Sequence, residues 1–481
     1  MAMAMAMAMA RASAVLVHGT TKVAFSRGAR IAPVARRSVC VAVAGKKEES
    51  AKKLGRRAST SALKAVAVDE SEVSAPPRWD LERWFGFSDP FDAKIDSEMT
   101  SLEGKCKAFM EKFQGTLDTK LYDAILAYED IDQVLTSVLT YVMLSSDTQL
   151  ANDKMSQRKA VLMQQYSGFS ANYLTFFGLQ LAALEDDALA AQLKATPALK
   201  KYEPFIDDVR RSKPYNLSQE VERALSVRAA FSGKSPVVEF YGKELSYLNF
   251  EWEGETVPLE VILSKMGSSK DAEYRRNALK VVNEGLKKIE RTAALSLNMV
   301  AGDWFAENQE RKFKELRSSR NLSNNVPDEV VDSLLQAVRT TGVEQCKKYY
   351  TLKRSVLKAT QGLETFTWAD RNAPLSIGSA SESYTWAEAV EMVRSGYNKF
   401  SPTMGDMFMQ MVNEKRIDVP AEKGKTGGAY CAAAFGCGPF QLLNFTGTQR
   451  DVATLAHESG HGCHNMLSYE QGILQFHPPL T

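Results

Sequence analysis

Residues 448–467 read TQRDVATLAHESGHGCHNML, and this stretch decides the fold. It contains the motif HExxH, in which His457, Glu458 and His461 occupy the three fixed positions. Residues four apart lie one turn apart on the same face of a helix, so both imidazoles can reach one ion. Imidazole nitrogens about 2.0–2.1 Å from the metal are typical of zinc sites. The motif therefore predicts a single Zn²⁺ bound by His457 and His461.

Glu458 follows the first motif histidine and is turned about 100° away from it around the helix axis. This direction places its carboxylate where it can reach a zinc-bound water instead of the metal. Zinc lowers the pKa of such a water and polarises a peptide carbonyl, while the carboxylate passes the water's proton to the leaving amine. The pattern predicts a metalloendopeptidase with Glu458 as its catalytic base.

The residues around the motif also favour a helix. Thr448 followed three residues later by Asp451 is typical of a capping box. Gly460 and Gly462 weaken a helix, and close packing on the metal side would be a reason for them. The apolar stripe expected opposite the histidines consists of Val452, Leu455, Ala456, Cys463 and Leu467. The alternative is a helical structural protein in which HExxH arose by chance.

Three further residues carry ligand-type side chains but are not expected to bind the metal. His464 lies about 10 Å along the helix from the first motif histidine, out of reach of an ion held by the motif. Glu470 is the only acidic residue after the motif and is interpreted as a surface acid at the helix end. His477, in the loop-like end of the chain, is interpreted as a surface residue.

Charge is unevenly distributed along the 481 residues. Residues 1–66 hold thirteen Lys and Arg against two acids, whereas the remainder carries 47 bases and 56 acids. A body with net negative charge lacks the basic face of nucleic-acid-binding proteins. No run of about 18 apolar residues occurs, so no membrane helix is predicted. Six scattered cysteines without a CxxC motif favour a reduced compartment.

The first segment has the composition of a targeting sequence. Residues 1–47 contain no Asp or Glu but five Arg among Ala, Ser and Val, which is typical of an organelle transit peptide. The chloroplast stroma is the favoured location, and the mitochondrion is second. Residues 1–77 are therefore interpreted as a transit peptide followed by a disordered linker.

The body of the chain is expected to be mainly α. Apolar residues recur at three- and four-residue steps along most of it, including 330–357, where a break is expected at Gly342. Pro439–Phe445 is a short apolar run beside glycines and is the best strand candidate of the last third. We expect an N-terminal helical domain over residues 78–265. A catalytic zinc peptidase domain over residues 266–481 would contain a small sheet beside the last helix.

Several separated blocks, in order along the chain, are similar to one known family. They are Phe176–Leu179, Trp368–Asp370, Gly427–Cys431, Pro439–Phe445 and Asp451–His461. On these blocks the chain resembles the oligoendopeptidase F branch of the thimet-oligopeptidase-like zinc peptidases. The resemblance implies a multi-helix, zincin-type metallopeptidase with an enclosed channel that admits short peptides and excludes folded proteins.

The resemblance also implies how a peptide is bound. Pro439–Phe445 would be the edge strand against which a peptide lies as an added strand. The residues expected to bind the peptide are Gly428, Ala429, Tyr430, Leu442 and Asn444. The expected partners are short peptide substrates, with no nucleic acid and no membrane. The oligomeric state is left open.

Two departures from the family pattern matter. Ser459 lies where the family usually has Leu. The family's third zinc ligand is a Glu on a later helix, about two dozen residues past the second histidine and so beyond Thr481. We therefore expect the chain to be truncated relative to the family and to bind zinc weakly when made alone. The alternative function is a catalytically degenerate, peptide-binding relative that lacks the third zinc ligand.

Overall fold

The computed structural model describes residues 76–375 and 383–477. The predicted transit peptide and linker, residues 1–77, lies outside the described residues apart from its last two positions. Helices make up most of the N-terminal part of the described chain. Its α-helices are α1 (Leu81–Phe85), α2 (Ala93–Phe113), α3 (Leu117–Asp147), α4 (Asp153–Phe169), α5 (Thr175–Ala183), α6 (Asp186–Ala195), α7 (Glu203–Arg210), α8 (Gln219–Arg228) and α9 (Lys234–Ser246).

These helices form where local sequence signals favour them. α2 begins after Asp92, whose carboxylate accepts a hydrogen bond from the Lys94 N–H at 2.9 Å. α4 begins after Asn152, whose side chain caps the helix by accepting a hydrogen bond from the Met155 N–H. The side chains that α2 buries recur every three or four residues: Ile95, Met99, Leu102, Cys106, Phe109 and Phe113. This spacing places one face of α2 in the core.

The middle of the chain contains a short antiparallel hairpin followed by further helices. The strands of the hairpin are β1 (Phe250–Trp252) and β2 (Glu255–Val257). The following helices are α10 (Leu259–Ser268), α11 (Ala272–Lys287), α12 (Glu290–Glu310), α13 (Ser318–Ser323), α14 (Asp328–Ala337), α15 (Val343–Gln361), α16 (Trp386–Phe400) and α17 (Pro402–Asn413). A π-helical turn, Val338–Gly342, joins α14 to α15. Gly342 keeps helical backbone angles, so the break expected there does not occur.

A second sheet lies beside the last helix, α18 (Gln449–Ser468). Its strands are β3 (Ile417–Pro420), β4 (Tyr430–Ala432) and β5 (Phe440–Phe445). β5 lies between the other two and pairs with β3 in parallel and with β4 antiparallel. The expectation that Pro439–Phe445 is an edge strand is therefore wrong. An interior strand has a neighbour on each side and cannot pair with an added peptide, so β4 is the strand at that edge.

Alternate side chains of β5 face opposite layers of the fold. Phe440 and Leu442 belong to the same buried cluster as the N-terminal helices, and the Phe440 ring stacks on Phe85 with centroids 5.3 Å apart. Gln441, between them, accepts a hydrogen bond from Ser459 of α18 at 3.2 Å. The sheet therefore lies between the N-terminal helices on one face and α18 on the other. The prediction of a mainly α fold with a small sheet beside the last helix is confirmed.

A buried ion pair ties α11 to the 3₁₀ turn Trp368–Asp370. Arg275 donates to Asp370 Oδ1 from Nη2 at 2.6 Å and from Nε at 3.0 Å, and both side chains are 0% exposed. Arg275 also donates to the Ser269 carbonyl at 2.9 Å. The second carboxylate oxygen of Asp370 accepts the Thr367 N–H at 2.8 Å. One of the blocks that carries the family resemblance thus has a structural role.

The later helices are less well covered than the N-terminal ones. Large apolar side chains are exposed on α12 and α14, among them Leu295, Leu297, Phe305 and Leu334. Across the described ranges, no helix combines the length and the apolar character needed to cross a bilayer.

Candidate active site

The helix that carries the motif, α18, begins as its sequence predicts. The Thr448 hydroxyl accepts a hydrogen bond from the Asp451 N–H at 3.2 Å, and the Asp451 carboxylate accepts the Thr448 N–H at 3.0 Å. This reciprocal pair is the expected capping box. The helix then continues without interruption to Ser468, so His457 and His461 lie one turn apart on the same face.

The two motif histidines converge on one point. Their Nε2 atoms are 3.2 Å apart, and their rings meet at 79° with centroids 4.9 Å apart. Two nitrogens bound to the same tetrahedral zinc are about 3.3 Å apart, given zinc–nitrogen bonds of about 2.0–2.1 Å. Both side chains are exposed, so an ion can reach them. This donor pair therefore fits zinc in its chemistry and its spacing.

Glu458, between the two histidines in sequence, has a different environment. It is only 8% exposed, and this burial raises the pKa of its carboxyl to about 7. The backbone N–H of Cys431 in β4 faces the carboxylate, and this dipole acts in the opposite direction and lowers the pKa. A cation held by the histidines would lower it as well. A carboxyl with a pKa in this range can accept and return a proton near neutral pH.

The described residues do not complete the ligand set. Between residues 76 and 477, leaving out 376–382, no three His, Cys, Asp or Glu side chains are grouped so that they could hold a metal ion. Glu470 lies exposed on the 3₁₀ turn after α18, and His464 is exposed one turn past the motif. The ring of His477 packs beside Phe476, with centroids 4.8 Å apart. The position of a third ligand stays a prediction.

The opposite face of α18 packs against α17 and the sheet. Val452, Leu455 and Cys463 are buried, as the apolar stripe predicts, but Leu467 is 65% exposed because the buried face ends before it. Of the two glycines, only Gly462 is closely packed, and its packing lies on this buried side, not on the metal side. A Cβ atom on Gly462 would meet Met411 of α17.

Two of the predicted peptide-binding side chains are not available to a peptide. Leu442 is 0% exposed and belongs to the core. Tyr430 is also buried, and its hydroxyl donates to Asp147 Oδ2 of α3 at 2.8 Å. These side chains are inaccessible because β5 is an interior strand with one face on the N-terminal helices, and the Tyr430 side chain packs into the same core.

The other three predicted peptide-binding residues lie near the strand edge. Gly428 and Ala429 are in the loop that leads into β4, and Gly428 is exposed with a φ of +79°. Asn444, near the end of β5, donates two hydrogen bonds from its side-chain amide to carbonyls of this loop, those of Thr426 and Gly428. The amide of Asn444 therefore holds the loop.

Two contacts that hold the site are missing from the sequence-based predictions. One is the approach of the Cys431 backbone N–H to Glu458, which lowers the pKa of the carboxyl. The other is a hydrogen bond from the Tyr397 hydroxyl of α16 to the Ala456 carbonyl, next to the motif. Residue identity carries no signal for a backbone donor, and Tyr397 reaches α18 only because α16 and α18 pack together. Neither contact could be found from local spacing.

This fold and this HExxH helix define a class of protein, the mainly helical metallopeptidases. Residues 265–474 match the family model of peptidase family M3, and residues 180–250 match a second model described as oligopeptidase F. The two matches together span more than half of the chain. The chain belongs to peptidase family M3, in its oligopeptidase F branch.

Curated relatives agree with this assignment. The chain is 24% identical over 420 residues to the group B oligopeptidase PepB of Streptococcus agalactiae, covering 84% of this chain and 66% of the relative. It is 24% identical over 408 residues to the oligopeptidase PepF of Bacillus subtilis, covering 82% and 58%. The chain thus spans about two thirds, or less, of the length of these relatives.

Solved structures share the fold. An oligoendopeptidase F from Enterococcus faecium superposes with a TM-score of 0.53 at 19% identity, covering 67% of this chain and 66% of that one. PZ peptidase A, solved with an inhibitor, superposes with a TM-score of 0.60 at 17% identity, covering 80% and 64%. At this level of identity the likeness concerns the fold, and it supports the zincin-type helical architecture. The enclosed channel stays a prediction.

The expected location of the protein is contradicted by the relatives. PepB, PepF and the oligoendopeptidase F homologues of Lactococcus lactis and Borreliella burgdorferi are all bacterial proteins. Bacteria contain neither chloroplasts nor mitochondria. The expectation of an organellar protein, in the chloroplast stroma or in the mitochondrion, is therefore wrong.

Proposed function

We propose that this chain is a zinc-dependent metalloendopeptidase that hydrolyses short oligopeptides. The observation that carries the proposal is the convergence of His457 Nε2 and His461 Nε2 at 3.2 Å beside the buried carboxyl of Glu458. Membership of family M3 supports the reaction class, and the names of the relatives, oligopeptidase and oligoendopeptidase, support the substrate class.

The three motif residues have different roles in the proposed reaction. His457 and His461 would hold the ion through Nε2. When bound, zinc supplies a Lewis acid that favours the attack of water on a peptide carbonyl. Glu458 accepts the proton of the attacking water and returns it to the leaving amine. Burial raises the pKa of this carboxyl, which favours acceptance of the proton.

The peptide itself would lie along β4. This strand is at the edge of the sheet next to Glu458, and an extended peptide can pair with the backbone of an edge strand. Gly428 and Ala429 lie in the loop just before β4 and remain the peptide-binding candidates.

The test is the variant Glu458→Gln, which removes the base and preserves the size of the side chain. We expect hydrolysis of an internally quenched oligopeptide to fall by at least about 100-fold, with the zinc content unchanged. Glu470→Gln is the matched control, because Glu470 is an exposed acid just past the same helix. The proposal fails if Glu458→Gln cleaves the peptide as fast as the parent. A loss of zinc in Glu470→Gln would make that residue a ligand.

A second candidate function is a degenerate relative that binds peptides without cleaving them. The observation that favours it is the lack of a third ligand among the described residues. Two protein ligands hold zinc weakly and orient its water poorly. This alternative predicts that the parent protein binds a fluorescent oligopeptide but leaves it intact at saturating zinc. Cleavage by the parent that is lost in Glu458→Gln would exclude a degenerate relative. The other alternative, a structural protein with an accidental HExxH motif, is disfavoured by membership of the family.

A further inference from the structure

Asn444, near the end of β5, uses its side-chain amide as a double donor. The Nδ2 atom lies 2.9 Å from the Thr426 carbonyl oxygen and 2.8 Å from the Gly428 carbonyl oxygen. Both acceptors belong to the loop of residues 421–429, which joins β3 to β4. Since a side-chain amide has two N–H groups, Asn444 commits both of them to this loop.

The strand that follows the loop is short and needs such support. β4 has three residues and pairs with β5 in the register Tyr430 with Leu442 and Ala432 with Phe440. The Gln441 N–H donates to the Arg416 carbonyl on the β3 side, so Gln441 and Cys431 form a non-hydrogen-bonded pair and the Cys431 N–H points away from β5. That N–H faces the carboxylate of Glu458 and favours its charged form, which lowers its pKa. Besides the buried Tyr430 side chain and its hydrogen bond to Asp147, a strand with so few ladder hydrogen bonds is positioned by the preceding loop.

Other contacts fasten the same loop from a different side. The Thr426 N–H donates to the Asp147 carbonyl of α3 at 2.7 Å. The buried Lys425 ammonium donates to Asp418 Oδ1 at 2.5 Å and to the Pro420 carbonyl at 2.7 Å. These contacts fix the start and middle of the loop. Asn444 bonds to Gly428 as well, two residues before β4, and of these loop contacts it is therefore the one closest to the strand.

We propose that Asn444 is a positioning residue that holds the loop so that the Cys431 N–H stays directed at Glu458. This inference rests on the proposed role of Glu458 as the base. It also replaces the expectation that Asn444 contacts the peptide. Loss of the two amide donors leaves two carbonyls without their partner and allows β4 to move relative to α18.

The experiment compares Asn444→Ala with Asn308→Ala. Asn308 is the matched control because its side-chain amide also donates to a backbone carbonyl, that of Trp304 at 2.7 Å, on α12. Hydrogen exchange is followed by mass spectrometry in a peptide that spans residues 426–432. We expect exchange there to accelerate about tenfold in Asn444→Ala and to match the parent in Asn308→Ala.

Kinetics with an internally quenched oligopeptide provide the second readout. We expect kcat to fall about tenfold in Asn444→Ala, because the Cys431 N–H no longer faces Glu458. This fall should exceed any rise in KM, which would come from movement of β4, the strand along which the peptide is proposed to lie. Asn444→Asp keeps the shape of the side chain but lacks both donors, so it should behave in the same way. It replaces Asn444→Ala in the experiment if the Ala variant does not fold.

Three outcomes would overturn the proposal. Parental exchange over residues 426–432 would mean that Asn444 does not hold the loop. Faster exchange with unchanged kcat would mean that the loop does not position Glu458. A raised KM with unchanged exchange would mean that Asn444 contacts the peptide instead. If the parent cleaves no peptide, the exchange data still decide whether Asn444 holds the loop, and the proposed function alone fails.

Discussion

Gly462 of α18 lies so close to Met411 of α17 that a Cβ atom on the glycine would be 2.5 Å from the Met411 sulfur. The same approach brings the Gln441 side chain within hydrogen-bonding distance of both Met411 and Ser459, at 3.3 and 3.2 Å. The absence of a side chain at this one position therefore sets how deeply α18 is seated against α17 and the sheet. The depth of α18 in turn sets the burial of Glu458.

Gly462→Ala is expected to destabilise the protein. The added methyl group overlaps the Met411 sulfur in a packed region, and overpacking of this kind costs about 1–3 kcal/mol. Gly460→Ala is the control, because the nearest atom to its Cβ is the Tyr397 hydroxyl at 3.6 Å, an ordinary contact. The free energy of unfolding of that variant should rise by up to about 1 kcal/mol, because Ala has a higher helix propensity than Gly. Urea denaturation measures both, and equal stability of the two variants would contradict this account.

Asp370→Asn should destabilise the protein much more than loss of a surface ion pair. The change leaves the Arg275 guanidinium buried without its counter-charge, which costs about 3–5 kcal/mol. Glu364→Gln, which removes the partner of the exposed Lys358 ammonium at 3.1 Å, should cost no more than about 1 kcal/mol. The measurement is the free energy of unfolding of each variant. A cost below 1 kcal/mol for Asp370→Asn would refute the structural role of this pair.

Asp132 in α3 should make stability depend on pH. Burial, together with the nearby Glu129, raises the pKa of its carboxyl from 3.8 to about 6. Between these two values the native state binds a proton that the unfolded state does not, so this group's contribution to stability falls as pH rises through the window. Asp132→Asn should therefore raise the free energy of unfolding by about 1–3 kcal/mol at pH 7.5 and by very little at pH 3.5.

The control for Asp132 is Asp130→Asn, two residues earlier on an exposed position of the same helix. Asp130 pairs with the Lys105 ammonium at 2.7 Å at the surface, where such pairs contribute little. Urea denaturation curves at the two pH values provide the comparison. If Asp132→Asn stabilised the protein equally at both pH values, the raised pKa could not be the cause.

Zinc should stabilise the folded chain through the motif histidines. Any ligand that binds only the native state raises the melting temperature, by an amount equivalent to about 2.7 kcal/mol at 100 times its Kd. His461→Ala should abolish this shift, because a single imidazole remains. His464→Ala, one turn further along the exposed surface, should retain it. Differential scanning fluorimetry with and without zinc measures the shift in melting temperature. Loss of this shift in His464→Ala would assign that residue to the site.

The parts of this structure that could be predicted from the sequence depend on neighbours along the chain. The start of α18 follows from the spacing of Thr448 and Asp451, and the convergence of the two histidines follows from helix geometry. Each of these features is decided within one or two helical turns.

The parts that could not be predicted depend on pairing between distant segments. The apolar run FQLLNF of β5 has no alternating pattern, because both faces of the strand are covered. Such a run fits an edge or an interior strand equally well, and only the long-range pairing with Ile417–Pro420 decides which. The buried state of Leu442 and the bridging role of Asn444 follow from that pairing. Neither can be read from the strand itself.

The position of β5 between two layers has a consequence for engineering. Phe440 and Leu442 share one core with the N-terminal helices, although a domain boundary was expected near residue 265. The halves on either side of that boundary are therefore not interchangeable modules. A chimaera that joins residues 78–265 of this chain to the catalytic half of a relative would carry foreign residues opposite Phe85 and its neighbours. Recombination within the family should succeed only when the partners of β5 are transferred together with it.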